Sequence, residues 1–260
     1  SNIRAFDVLD PEGLKRLFSR DYNDQVNILF IESCSNPNGN IFDMSEIPKL
    51  RELSKKLYVI VDNTWLTHVT FNPFEFDVDI VVSSMSKHYS LGKCISGFVV
   101  LRNRMMANNL HELNKMEGIH IPLPYCQIIL DSLSKMDECV ELAYVKTLQV
   151  AQYLESNKNV VKVNYPMLES HPSHELAKKY FRFGPTILTF AINLRKPEAK
   201  RWMKGFKTIP FKTSFGSEET KLDPWPYEID GITYCRLAIG YNTNVEELIK
   251  DFTIALSKMK

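Results

Sequence analysis

A lysine in a serine-rich turn is the most reactive-looking feature of the chain. The sequence VDIVVSSMSK, residues 78–87, places two hydroxyl side chains, Ser84 and Ser86, just before Lys87. If the preceding apolar run is a buried strand, these groups lie at the edge of a sheet. An amine can bond covalently to a carbonyl, provided that it is neutral part of the time, and partial burial promotes this by lowering its pKa.

Two further apolar runs end in polar side chains. The run NILFIES, residues 27–33, leads to Asn36, and YVIVD, residues 58–62, ends at Asp62. In parallel sheets the chemistry gathers at the carboxyl ends of the strands, so these side chains are expected near Lys87. The set matches the needs of pyridoxal phosphate: a carboxylate for the ring nitrogen, a lysine for the Schiff base and hydroxyls for the phosphate.

The strands that carry these residues alternate with helices. Strands are predicted at residues 27–33, 58–62, 79–82 and 97–101, one helix starts at Pro11, and another runs from the apparent capping box Asp43 and Glu46 through Leu57. This order predicts an α/β domain with a mostly parallel sheet wrapped by helices.

The second half predicts a smaller α+β domain. Helices are expected at residues 125–157, from 173, at 197–206 and at 245–259, and strands at 160–165, 186–194 and 233–239. The long helix would join the domains. We therefore predict domains at residues 1–138 and 139–260.

Composition argues against several classes of partner. Lys and Arg number 32 against 31 Asp and Glu, so no global positive field favours nucleic acid or an anionic membrane. No apolar run approaches the roughly 20 residues that span a bilayer, and the N-terminus lacks a signal-peptide pattern. Five scattered cysteines without a CxxC pair favour a reduced, cytoplasmic compartment and argue against zinc.

Four segments carry a resemblance to a known family. They are IESCSNPNGNIFDMSEI, VDNTWLTHVTFNPFEFDVDIVVSSMSK, YPMLESHPSHELAKK and GITYCRLAIGYNTNVEELIKDF. In this order they resemble the cystathionine gamma-synthase/gamma-lyase family, the trans-sulfuration enzymes of cysteine and methionine metabolism. The resemblance implies fold type I: part of an aminotransferase-like large domain, followed by a small C-terminal domain.

The resemblance also implies a role for each cofactor residue. Lys87 would be the Schiff-base lysine and Asp62 the partner of the pyridinium nitrogen. Ser84 and Ser86 would contact the phosphate of pyridoxal 5'-phosphate, and Asn36 would lie near its phenolic oxygen.

On the substrate side, the resemblance points to Ser214 and Arg236. Both match positions that hold an amino acid's carboxylate, for which an arginine fork is well suited. The implied reaction is elimination or replacement on a sulfur-containing amino acid or an activated homoserine. No metal is expected, because His171 and His174 lack a third ligand nearby.

Structural interpretations compete at the same positions. Lys87 could be a solvated turn residue, Asp62 could begin a turn through an Asx hydrogen bond, and Arg236 could be an ion-pair partner within a strand. For Cys34, a buried thiol is the preferred interpretation over a reactive one.

The chain departs from the family pattern in its turn and at its start. Met85 replaces an alanine, Ser86 replaces a threonine, and the turn HYSLGK is one residue longer than usual. The family's N-terminal part, with its glycine-containing phosphate-binding turn and stacking tyrosine, is not in this sequence. Two interpretations stay open. In one, the chain is enzyme-derived and forms a homo-oligomer or pairs with a chain that supplies the N-terminal part; in the other, it is a catalytically degenerate pseudoenzyme serving as an interaction or structural module.

Overall fold

Two β-sheets, linked by one long helix, organise the chain. The computed structural model describes residues 3–18 and 25–259. Sheet A has the strand order β1-β2-β3-β4, formed by Asn27–Glu32, Leu57–Asp62, Ile80–Ser84 and Gly97–Leu101. The first three strands are parallel, whereas β4 runs antiparallel to β3. The predicted α/β class with a mostly parallel sheet is confirmed.

One face of sheet A forms the core of the first half. Alternate residues of the strands point to this face, so Leu29 and Ile31 of β1 are buried together with Val59 and Val61 of β2. Helices α1 (Pro11–Phe18), α2 (Ile47–Leu53), α3 (Thr67–Thr70) and α4 (Arg104–Met116) complete this half.

The helix predicted from Asp43 through Leu57 is wrong in extent. Asp43 does cap, since its carboxylate accepts from the Ser45 N–H at 3.0 Å, but it opens a 3-10 turn. Glu46 makes ion pairs with lysines instead of completing a capping box. The helix then ends at Leu53, and Leu57 begins β2, where it is buried opposite Asn27 of β1.

Helix α5, Leu123–Ser156, connects the two halves. It confirms the predicted long helix, and its buried residues, such as Met136, Val140, Ala143 and Thr147, recur every three or four positions. The predicted domain boundary near residue 138 lies inside this helix. The division into two domains therefore stays a prediction.

Sheet B is antiparallel throughout. Its strands are β5 (Val160–Asn164), β6 (Ile187–Ile192), β7 (Lys221–Leu222), β8 (Tyr227–Ile229) and β9 (Ile232–Ala238), in the order β5-β6-β9-β7 with β8 also on β9. Helices α6 (His174–Tyr180), α7 (Lys196–Met203) and α8 (Val245–Ser257) accompany it. The core of this half includes Phe190 of β6 and Phe252 of α8, whose rings meet edge to face.

Within residues 3–18 and 25–259, no helix combines the length and the apolar character needed to cross a membrane.

Candidate functional site

Lys87 lies in the turn that follows β3. The turn closes through the Ser90 N–H on the Met85 carbonyl at 3.0 Å and the Gly92 N–H on the Lys87 carbonyl at 2.9 Å. The Lys87 side chain is partly buried, and its ammonium lies 5.5 Å from the centre of the Phe215 ring. Burial, assisted by the positive charge of Arg236, lowers the pKa of Lys87. More of the amine is therefore neutral near neutral pH than in an exposed lysine.

Asp62 lies at the carboxyl end of β2, directly beside Glu32 of β1 and Val82 of β3 in the register. Its Oδ1 accepts a hydrogen bond from the Thr64 N–H at 2.9 Å, which is the Asx turn that the sequence left open. The same carboxylate lies at the strand edge that the cofactor interpretation requires. Asp62 thus starts a turn and supplies a negative charge at the edge of sheet A.

The two predicted phosphate contacts differ in what their hydroxyls do. Ser86 donates its hydroxyl proton to the Ser96 carbonyl at 3.1 Å, and the same oxygen accepts from the Ser96 N–H at 3.0 Å. Ser84 is anchored through its backbone, because its N–H donates to the Thr64 hydroxyl at 2.9 Å. In this arrangement the Ser86 hydroxyl is engaged with Ser96 as both donor and acceptor.

Asn36 connects the strand edge of sheet A with sheet B. Its backbone N–H donates to the Glu32 carboxylate at 2.8 Å, and its side-chain oxygen accepts from Arg236 Nη1 at 3.1 Å. Burial raises the pKa of Glu32; the Asn36 hydrogen bond opposes the rise and the Asp62 charge adds to it. Sequence reasoning missed Glu32, although its place at the end of a predicted strand was a usable signal.

Arg236 lies on β9 and is already paired. Besides Asn36, its guanidinium contacts the Thr213 hydroxyl at 3.3 Å and forms an ion pair with the carboxylate of Asp223. The structure therefore brings Arg236 to the candidate site and also gives it the ion-pair role that the sequence left open. Asp223 carried no sequence signal, since it follows a two-residue strand in an irregular segment.

Ser214 lies in a loop that packs on the Lys87 turn. Both Ser214 and Gly216 have a φ of 78°, in the left-handed region that favours glycine. A Cβ at Gly216 would lie 2.5 Å from the backbone nitrogen of His88 and 2.7 Å from the carbonyl carbon of Lys87. Only glycine fits this approach, so the 213–217 loop rests directly on the turn that holds the lysine.

The structure shows where Met85 and the longer turn, two departures from the family pattern, lie. Met85 packs against the cluster formed by Val69, Tyr89, Met136 and Val140. The unusual turn forms a 3-10 helix over His88–Ser90 and continues through left-handed Leu91 and Gly92.

The remaining interpretations from the sequence lie outside the site. His171 contacts the Asn38 carbonyl at 2.9 Å, and His174 contacts the Pro166 carbonyl at 3.2 Å. Cys34 is buried, which raises the pKa of its thiol. A groove between α5 and residues 242–246, and another along residues 218–220 and 242–244, include none of the candidate residues.

Comparison with known proteins finds a family model and relatives that agree with one another. A family model described as "Cys/Met metabolism PLP-dependent enzyme" matches residues 2–257. An L-methionine gamma-lyase of Fusobacterium nucleatum subsp. nucleatum is 29% identical over 273 residues, covering 99% of this chain and 68% of the relative. A cystathionine gamma-lyase of Rattus norvegicus is 27% identical over 207 residues, covering 79% of this chain and 52% of the relative.

A solved structure shares the fold. Apo CalE6, a methionine gamma lyase from Micromonospora echinospora, superposes with a TM-score of 0.88 at 21% identity. The match covers 99% of this chain and 69% of that one. Together with the curated relatives, this means that the chain spans between about half and about two thirds of the length of the proteins it matches.

Proposed function

The chain belongs to the family of pyridoxal-phosphate-dependent enzymes of cysteine and methionine metabolism, and from this premise we propose that it takes part in elimination or replacement on a sulfur-containing amino acid or an activated homoserine. The observation that carries the proposal is Lys87, a partly buried amine with a lowered pKa in the turn after β3. The names of the relatives, methionine and cystathionine gamma-lyases, support this class of substrate.

The residues present fit the amine and carboxylate needs of the cofactor. Lys87 would hold it covalently, Asp62 would keep a proton on its ring nitrogen, and Ser84 would donate to its phosphate. Ser86 is better suited to shaping the turn, because its proton is given to Ser96. Bound pyridoxal phosphate supplies an electron sink for negative charge at the substrate's α carbon.

The other residues would bind the substrate and move its proton. Lys87, once free, would take the α proton, for which an amine with a lowered pKa is suited near neutral pH. Arg236 would orient the substrate's carboxylate, and Asn36 supports this because it fixes one arm of the guanidinium at 3.1 Å. Ser214 would complete the carboxylate contact from the loop that rests on the Lys87 turn.

Cofactor attachment at one lysine tests the proposal. Protein mixed with pyridoxal phosphate should develop a visible absorbance band, and borohydride should fix the reduced cofactor on the Lys87 peptide. Lys87→Ala should lose both signals. The matched control is Lys93→Ala, which removes an exposed lysine from the same loop and should keep both.

A second function is favoured by two observations. The Ser86 hydroxyl and the Arg236 guanidinium are both engaged within the chain, as expected of a catalytically degenerate relative that serves as an interaction or structural module. The same experiment separates the two functions. An absorbance spectrum that is identical for the unmodified protein and Lys87→Ala would reject cofactor binding and leave the degenerate relative.

A further inference from the structure

Arg236 is held by a carboxylate of its own chain. Asp223 Oδ2 accepts from Arg236 Nη2, and it also accepts from the Thr213 hydroxyl at 3.0 Å. The side chains of Arg236 and Asp223 are only 18% and 10% exposed, so this is a largely buried ion pair. A buried pair of this kind is screened little by salt.

Asp223 is fixed on Arg236 by the backbone as well. Its N–H donates to the Arg236 carbonyl at 3.0 Å, and its second carboxylate oxygen accepts from the Trp225 N–H at 2.9 Å. These bonds hold the Asp223 carboxylate from both sides. It is therefore a built feature of the site and not a surface side chain that happens to touch an arginine.

Charged groups of both signs lie near the pair, and the Glu32 carboxylate is linked to Arg236 through Asn36. The charge of Arg236 helps to lower the pKa of Lys87. Burial lowers the pKa of Lys221, on β7, and the charges of Lys212 and Lys87 lower it further against the opposing effect of Glu219. Asp223 is the carboxylate that contacts the guanidinium, so it sets the charge that an incoming anion meets at Arg236.

We propose that Asp223 is a specificity-determining residue, an internal competitor that holds the face of Arg236 where a substrate's carboxylate would bind. This inference rests on the proposed function, because it takes Arg236 as the residue that binds the substrate's carboxylate. A ligand carboxylate must displace Asp223 or lie beside it, and either route weakens binding. The site therefore discriminates little between an amino acid and its amide.

A pair of ligands tests the inference on the protein loaded with pyridoxal phosphate. L-methionine and L-methioninamide differ only in the carboxylate. Asp223→Asn should tighten L-methionine binding by about tenfold, which corresponds to about 1.4 kcal/mol, and leave binding of the amide unchanged. Glu219→Gln is the control. It removes the same charge from the same segment, but Glu219 pairs with Lys212 and not with Arg236. An acid preference in the unmodified protein that Asp223→Asn does not increase would overturn the proposal.

A chemical readout on Arg236 needs neither cofactor nor activity. Phenylglyoxal should modify Arg236 slowly in the unmodified protein relative to exposed Arg201, and about tenfold faster in Asp223→Asn. Propionate should restore protection in the variant, whereas propionamide should not. If Arg236 of the unmodified protein reacts as fast as Arg201, or is equally protected by propionate, Asp223 is no competitor. These outcomes are independent of whether Lys87 binds the cofactor, so the two proposals fail separately.

Discussion

The two sheets differ in how they are covered. In sheet B all six residues of β6 are buried, so helices and loops cover both of its faces. In sheet A the strand β1 buries Leu29 and Ile31 but leaves Ile28 62% and Phe30 54% exposed. The described residues thus cover both faces of β6 in sheet B, whereas they cover only one face of β1 in sheet A.

The candidate site lies where these unlike halves meet. Lys87 and Asp62 come from sheet A, and Arg236 and the 213–217 loop come from the side of sheet B. The sheet B side supplies the loop that rests on the Lys87 turn. The half-covered sheet supplies the reactive strand ends. The candidate site therefore depends on elements of both halves.

The largest expected effect tests the difference in coverage between β6 and β1. Phe190→Ala in β6 should lower the free energy of unfolding by about 3 to 5 kcal/mol, because the ring is fully buried against Phe252 and Trp202. Phe30→Ala in β1 makes the same chemical change on the exposed face and should cost about 1 kcal/mol or less. Urea unfolding of both variants measures the difference. Equal losses would mean that the outward face of sheet A is covered in solution.

A smaller effect is expected at the contact between the sheets. His88 is buried beside Phe215, with its ring nitrogen 3.3 Å from the Thr186 hydroxyl, and burial lowers its pKa to about 4. The folded state therefore binds fewer protons than the unfolded state between pH 6.5 and 4. Stability from this group is present above pH 6.5 and is lost as the pH falls towards 4. The loss amounts to about 2 kcal/mol at pH 5.

Substitution of that histidine isolates its contribution. In His88→Asn the drop in unfolding free energy between pH 7 and pH 5 should shrink by this amount, as measured by denaturant titrations at both pH values. His111→Asn, at an exposed position of α4, is the control and should keep the full drop. A drop that is the same in both variants would show that His88 titrates normally.

The smallest expected effect concerns one hydrogen bond between the two halves of the molecule. The Thr189 hydroxyl on β6 donates to the Pro37 carbonyl at 2.7 Å and so links the loop after β1 to sheet B. Thr189→Val should cost about 1 kcal/mol. It should also speed amide hydrogen exchange in residues 35–40.

Thr233→Val provides the matched control. Its hydroxyl donates at 2.6 Å to the carbonyl of Leu194, just beyond the end of β6, so the cost should be similar without any change at residues 35–40. Unchanged exchange in Thr189→Val would show that the loop is held by other contacts.

The strands were predictable because their signal is local. The apolar runs that form β1 to β4 and β6 are visible in the sequence, and strand ends such as Asp62 follow from them. Helix α4 was not predicted, and none of its residues is buried. The strand ends of sheet A thus indicated which residues could meet at one edge.

The pairing of the site residues was not predictable. Asp223 lies 13 positions from Arg236 in an irregular segment, and only the antiparallel pairing of β7 with β9 brings them together. Similarly, the hydrogen bonds between Ser86 and Ser96 depend on the path of the loop between these two residues. Residue types suggest which groups can act, but tertiary contacts decide which of them are already engaged.

Gly216 makes the reactive turn depend on a contact from the other half of the molecule. Because its backbone lies against the Lys87–His88 peptide, sheet A alone does not define the position of the reactive amine. The geometry of the turn therefore depends on the docked 213–217 loop. Any motion that lifts the loop would free the Lys87 turn and at the same time break the contact of the Thr213 hydroxyl with Arg236.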